Sequence, residues 1–269
     1  MPLLKPAPGI QINKTHPLAR GLVGWWLAYP GTTALDVSGN GNHGTFIANT
    51  HVVSGKFGHA WDFDGTGDYI QLADNPLFTL SSGYAFSAWI KLNAMPSGAS
   101  KFFPVISQWG AAGAGNAAWV LRLKSTNANI QIGNYDGSDS DLITGNINLS
   151  TGIWYHIAAT WDGSTAGNNA YVYVNAVAGS TDNTMDTIPQ DSAYDPLIGY
   201  DPFAGDNTQY FNGQIDHLTI HARGLTATEI GWLYREPFAM FQRSTSIALL
   251  SYAEAAGEGI AILRRRRAG

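Results

Sequence analysis

Phe211-Asn212-Gly213-Gln214-Ile215-Asp216-His217-Leu218-Thr219-Ile220-His221-Ala222-Arg223-Gly224-Leu225-Thr226-Ala227-Thr228-Glu229-Ile230 decides how the chain reads. Its first half is a buried strand interrupted by a carboxylate, Asp216, which needs a partner once it leaves water. Its second half is a turn and the start of a short helix. Thr226 and Glu229 stand at capping-box spacing, and Pro237 stops a helix running through Leu233 or Tyr234. The best partner for Asp216 lies far upstream, in Asp36-Val37-Ser38-Gly39-Asn40-Gly41-Asn42-His43-Gly44. There Asp, Ser and Asn offer closely spaced oxygens, and the glycines permit left-handed backbone. Two readings of that loop stay open: a structural cation site, with calcium as the ion, and an Asx-rich turn with no metal.

Working outward, Tyr84–Leu92 is a strand with Phe86, Ala88, Ile90 and Leu92 on one face and Ser87, Trp89 and Lys91 on the other. Leu22–Leu27, Phe103–Trp109, Ala117–Leu123 and Asn129–Gly133 read as further strands. Gly55–Leu72 reads as two alternating strands about a hairpin turn at Asp64-Gly65-Thr66-Gly67. Ile153–Asp162 and Ala170–Asn175 are the clearest central strands. On the second, Tyr171, Tyr173 and Asn175 form one polar-tipped aromatic face, suited to stacking on a sugar ring or packing on a neighbour. His217 and His221 read as edge or rim residues. Segment 178–211 is rich in Asp, Asn, Ser and Thr, the kind of loop where ligand sites tend to sit.

Composition sets the class. The 269 residues, 45% hydrophobic, suffice for one large all-β domain, and 31 Gly with 9 Trp, 12 Tyr and 11 Phe favour many strands joined by tight turns. A net charge of -5 argues against nucleic-acid binding by the main domain, with Arg264 to Arg267 a local exception. The chain has no cysteine, so neither disulfides nor thiolate metal sites arise. No run reaches membrane-spanning length, and Met1–Gly9 has no apolar signal core. Glutamate occurs only at Glu229, Glu236, Glu254 and Glu258, and the Asp62/Asp64 and Asp139/Asp141 pairs sit beside turns. A paired-carboxylate hydrolase is therefore disfavoured, as is a Ser nucleophile, since no Gly-x-Ser-x-Gly elbow occurs. Pro2, Pro6, Pro8 and Pro17 make residues 1–21 an extended arm, residues 22–243 the domain, and residues 244–269 a docking arm with two apolar runs, Ile247–Leu250 and Ile260–Leu263.

Gly55–Leu72, Tyr84–Leu92, Ile153–Asp162 and Phe211–Leu233 together resemble the concanavalin A-like lectin/glucanase superfamily, in its laminin-G-like jelly-roll branch, over roughly residues 22–241. Asp36–Gly44, Phe63-Asp64-Gly65 with Asp68-Tyr69, and Gly213-Gln214-Ile215-Asp216 carry the resemblance most specifically. It implies an all-β, two-sheet antiparallel jelly-roll sandwich with a curved concave face, here with one short C-terminal helix and extended terminal arms. It also implies a frequent structural calcium, which by position would use Asp36, Asn40, Asn42 and Asp216. Two residues depart from the pattern: His217 replaces a usual acidic residue, and Asn175-Ala176 replaces Asn-Gly, which argues against a two-residue I′ turn. The Glu-x-Asp-x-Glu strand of the superfamily's glucanases is missing.

The flanks Ile12–Leu22 and Leu233–Phe241 are similar to those of laminin-G-like proteins in phage and prophage genomes. The resemblance then implies a non-catalytic virion surface protein, decorating a capsid or associated with a tail. Residues 1–21 and 244–269 would dock to capsid or tail subunits, the domain would bind host or environmental glycans, and homo-oligomers fit the same setting. A stand-alone carbohydrate-binding module or secreted adhesin is the alternative, and a glycoside hydrolase the least favoured.

Overall fold

Alternation of apolar and polar side chains produces strands along most of the chain. The structure, a computed structural model, describes residues 4–97, 101–109, 117–124, 127–180, 183–202 and 209–241. Within them run β1 (Leu22–Leu27), β2 (Thr33–Asp36), β3 (Gly44–Ile47), β4 (His51–Gly55), β5 (Gly58–Asp64), β6 (Tyr69–Leu72), β7 (Tyr84–Leu92), β8 (Phe102–Trp109) and β9 (Ala117–Lys124). Then follow β10 (Asn129–Tyr135), β11 (Ser140–Thr144), β12 (Trp154–Trp161), β13 (Ala170–Val174), β14 (Val177–Ala178), β15 (Leu197–Ile198), β16 (Tyr200–Asp201), β17 (Gln209–Tyr210), β18 (Asn212–His221) and the helix α1 (Ala227–Arg235). Residues 244–269, with both apolar runs and the arginines, lie outside the described residues.

Two antiparallel layers result. In the first, β18 is central: β7, β12, β13 and β14 follow on one side, while β5 and β1 share the other side of β18, pairing with its first and second halves. The second runs β3-β6-β15-β8-β9-β10-β11, and β2 pairs with both β1 and β3, so hydrogen bonding is continuous between the layers. Their inner faces meet in an aromatic core. Phe86 of β7 lies 5.1 Å from Trp119 of β9, centroid to centroid, and the Tyr84 hydroxyl donates to Asn134 Oδ1 at 2.8 Å. Trp26, Trp61, Trp119 and Trp161 are fully buried; even a Phe-sized chain is worth about 1.5–3 kcal/mol on burial.

The first layer is covered on its outer face too. Leu18, Trp25, Leu27, Leu225, Ile230, Leu233 and Met240 form a second apolar cluster there, built from the arm, α1 and the segment after it. This is why β7 and β18 are buried almost throughout, instead of alternating between core and solvent. Ser87 and Trp89, on the side opposite Phe86, are as inaccessible as the core. The described part of the arm therefore docks on its own domain. Ile12 bridges to Phe241, Asn13 N donates to Met240 O at 2.7 Å, and Leu18 is fully buried.

Three local expectations are corrected. β5 and β6 do not form a hairpin: β5 pairs with β4 and β18, and β6 with β3 and β15, so Asp64–Gly67 carries the chain from one layer to the other. Asn175 and Ala176 do form a tight two-residue turn, with φ of 50° and 64° between the paired Val174 and Val177; positive φ at both positions is the I′ signature. His217 and His221 are buried, not rim residues. A bulge at His217, with φ of 55°, shifts the register between Asp216 and Thr219, and the ring lies on the outer face beneath Pro237 and Phe238.

Candidate functional site

The expected metal ligands divide between two places. Asp36 closes the 36–44 turn on itself: its Oδ1 accepts from Trp25 N (3.0 Å) and Ser38 N (2.8 Å), its Oδ2 from Ser38 Oγ and Asn42 N (both 2.9 Å). A carboxylate offers about four lone-pair positions, and all four are used. Asn40 Nδ2 donates to Leu22 O and Val23 O, and Asn42 Nδ2 to Val23 O, each at 2.9 Å, so these amides hold β1 through their nitrogens.

Asp216 lies past the other end of β1, its Oδ1 3.5 Å from Ala28 N. Its counter-charge is Lys5 of the arm, Nζ to Oδ2 at 2.7 Å, with both side chains buried and the ammonium also donating to His59 O. Burial pushes the Asp216 carboxyl up to about 6, against the pull of Lys5, and burial lowers the Lys5 ammonium. The expected meeting of Asp216 with the Asp36 loop does not occur; an ammonium is the cation at Asp216.

Tyr171 and Tyr173 are brought together as expected. On β13, Val172 and Val174 point into the core, so the two tyrosines lie on the outer side, Tyr171 half-buried and Tyr173 buried in the outer apolar cluster. They line a hollow of about 750 Å³ together with Arg20, Asp162, Asn168 and Thr226. Its floor is β12 and β13, where Thr160 pairs with Tyr171. Its wall is the start of α1, fixed when Leu225 N donates to Thr160 Oγ1 at 2.9 Å. Gly224 allows that approach, since a β-carbon there would lie 3.0 Å from Asp162 Cα. Arg223 ties the wall to the arm, with Nη2 2.6 Å from Glu229 Oε1 and Nε donating to Arg20 O at 2.9 Å. Arg20 is left exposed at the rim. Asp162 Oδ1 caps the following turn through Ser164 N at 2.8 Å.

Asn175 is separate from this hollow. It sits in the β13–β14 turn and its Oδ1 accepts from His156 N at 3.0 Å, a structural bond. Arg20, Asp162 and Asn168 were not singled out from sequence; Asp162-Gly163 marks a turn, but nothing local ties it to residue 20 or to the helix start. Another hollow, of about 670 Å³, lies between arm residues 9–15 and residues 35–39. Among the described residues no helix is long and apolar enough to cross a membrane.

Comparison with known proteins agrees with this architecture. Solved structures share it at low identity, which speaks to fold alone. The binding domain of Paraclostridial Mosquitocidal Protein 1 superposes with a TM-score of 0.63 at 17% identity, over 82% of this chain and 53% of that one. Domain 4 of AbnA, a GH43 extracellular arabinanase from Geobacillus stearothermophilus, in complex with arabinotriose, gives 0.58 at 20%, over 80% of this chain and 98% of that one. A Trypanosoma rangeli sialidase in complex with 2,3-difluorosialic acid gives 0.58 at 16%, over 83% of this chain and 34% of that one. This chain thus spans about half of the first of these and a third of the last. No curated protein matches the sequence. A family model, Laminin_G_3, described as the concanavalin A-like lectin/glucanases superfamily, matches residues 64–231, more than half of the chain. The chain belongs to the concanavalin A-like lectin/glucanases superfamily.

Proposed function

We propose that the protein is a non-catalytic, lectin-like binding protein that takes a glycan in the hollow over Tyr171 and Tyr173. The observation that carries this reading is the half-buried Tyr171 ring, backed by the buried Tyr173, beside Arg20, Asp162 and Asn168 around one open hollow. Aromatic rings offer a face for the apolar side of a sugar ring, and amide and charged groups at the rim suit its hydroxyls. Asp162 is the one carboxylate among the described lining residues, whereas glycoside hydrolysis generally needs two across the scissile bond. The arabinotriose held by a domain of similar fold supports the reading.

The setting we propose is a virion surface, as capsid decoration or tail-associated protein. It rests on the resemblance of the flanks. Since residues 4–21 are engaged with their own domain, docking to a capsid or tail subunit falls to residues 244–269.

A glycan array probed with the whole chain tests the binding. Tyr171→Ala should weaken any glycan found by about tenfold or more, the equivalent of one lost stacking contact of about 1.4 kcal/mol, while Asn175→Ala leaves it unchanged. An array without binders, or binding indifferent to Tyr171, ends the proposal. Deleting 244–269 should abolish incorporation into particles; normal incorporation would refute the docking role.

A further inference from the structure

Lys5 and Asp216 are matched more closely than an ion pair requires. Nζ lies 2.7 Å from Asp216 Oδ2, and the two side chains are only 4% and 0% exposed. Each partner is fixed from its own side. Asp216 is carried by β18, within the sheet. Lys5 is held by the arm, where the Tyr29 hydroxyl donates to Pro6 O at 2.8 Å.

An ammonium has three hydrogens to place. Among the described residues Lys5 Nζ has two acceptors, Asp216 Oδ2 and His59 O, so one hydrogen is left without a partner. The carboxylate accepts from Nζ and from two backbone N–H groups, those of Ala28, 3.5 Å from Oδ1, and His217. An amide formed between the two side chains has a single N–H and a single carbonyl. The surroundings offer that N–H an acceptor, His59 O, and that carbonyl its donors, Ala28 N and His217 N. They satisfy the amide more completely than the ion pair.

We propose that Lys5 and Asp216 condense after folding into an isopeptide bond, Nζ to Cγ, which ties the arm covalently to β18. Burial disfavours both charges, so a proton passes from Nζ to Oδ2 and leaves an amine against a carboxylic acid. The Nζ lone pair attacks Cγ while the carbonyl electrons move onto Oδ1, beside Ala28 N. A second proton crosses from Nζ to Oδ2 over the same 2.7 Å. The Cγ–Oδ2 bond then breaks, water leaves and the Oδ1 carbonyl reforms. The last hydrogen stays on the amide nitrogen, against His59 O. Atoms and charge balance with no oxidant or activating group. Holding the reacting groups in contact replaces a bimolecular encounter, and a site that excludes water protects the product from hydrolysis. The link closes a loop between residues 211 apart in the chain. It constrains the unfolded state as a long-range disulfide does, in a protein without cysteine.

Mass spectrometry of the whole chain, incubated folded at neutral pH and then unfolded in denaturant, tests this. We expect most molecules to be lighter than the sequence by one water. A protease digest should yield one branched peptide joining the segments around Lys5 and Asp216. Lys5→Arg keeps a cation beside the carboxylate but removes the amine, and should show the full sequence mass. A parent chain at full sequence mass overturns the proposal. So does water loss that persists in Lys5→Arg, or that the digest maps to a cyclised Asp-Gly pair such as Asp64-Gly65. The parent digest decides the matter even if Lys5→Arg fails to fold.

Discussion

A carboxylate inside an apolar strand looks like an error until its partner is found, and the partner of Asp216 is 211 residues away, at Lys5. Removing one member of a buried pair costs about 3–5 kcal/mol, because the other charge is stranded. Lys5→Met, which keeps most of the volume, should therefore lower stability on that scale, as read by urea denaturation. The loss should also depend on pH. The Asp216 carboxyl is held up at about 6 even beside the lysine, and without the lysine it rises further. A raised folded-state pKa favours the folded state at low pH and loses that benefit as pH rises, so the Lys5→Met deficit should shrink from pH 8 to pH 5. An equal deficit at both would mean that Asp216 is not the stranded group. The buried histidines act in the opposite sense. His156 is lowered to about 3, His217 and His221 to about 4, in each case chiefly by burial. Their stabilising contribution is present above the unfolded value near 6.5 and is lost as pH falls toward 4, together on the order of several kcal/mol. His221 Nε2 meets Leu18 O at 2.8 Å, so it carries the proton and Nδ1 stays bare. His221→Gln preserves a donor to Leu18 and removes the titration. Melting temperature should fall steeply between pH 6.5 and 4 in the parent and less steeply in this variant; identical slopes would count against the assignment.

At the scale of elements, the helix α1 shows what sequence conveys well. Its capping box is present in full: Glu229 N donates to Thr226 Oγ1 at 3.3 Å, and Thr226 N to Glu229 Oε2 at 2.9 Å. Both residues were legible at their spacing, since a cap is a local device that short-range pattern can report. Thr226→Ala should cost about 1 kcal/mol in thermal or denaturant unfolding. It should also loosen the wall of the tyrosine hollow, weakening any glycan found there; full affinity alongside reduced stability would show that the wall does not shape the site. The strands were legible for the same reason: β1 and β7 have the expected ends, and β8 to β10 differ by one or two residues. The connections between strands were not. Asp64–Gly67 has the composition of a hairpin turn, yet β5 and β6 enter different layers, because pairing is decided by distant partners such as β18. Ala176 shows the converse: the β13–β14 register imposes φ of 64° on a residue that does not favour it.

For the whole molecule, the strands could be read from period-2 alternation and the two-sheet sandwich from the family resemblance, but the third layer could not. Where a strand is covered on both faces, alternation disappears, and a Ser or His on the outer face looks solvent-exposed until the covering segment is known. That cover is the arm together with α1 and the segment after it, and the arm's prolines predict extension but not destination. The tyrosine stripe was legible because both rings lie on one strand; Arg20, Asp162 and Asn168, assembled from three places, were not. The arm's role yields the strongest test at this scale. Deleting residues 1–21 removes Leu18 and Ile12 from the cluster around Trp25 and Phe241 and strands Asp216. Two buried aliphatic chains at about 2 kcal/mol each, with about 3–5 kcal/mol for the broken ion pair, approach the whole stability of an ordinary domain, about 5–15 kcal/mol. The truncated chain should melt about 10 °C lower or more and bind a dye that reports exposed apolar surface, in the absence of any partner. An arm that served only to dock elsewhere would leave both readings unchanged. The same deletion therefore separates an arm built into the domain from one held out for a partner.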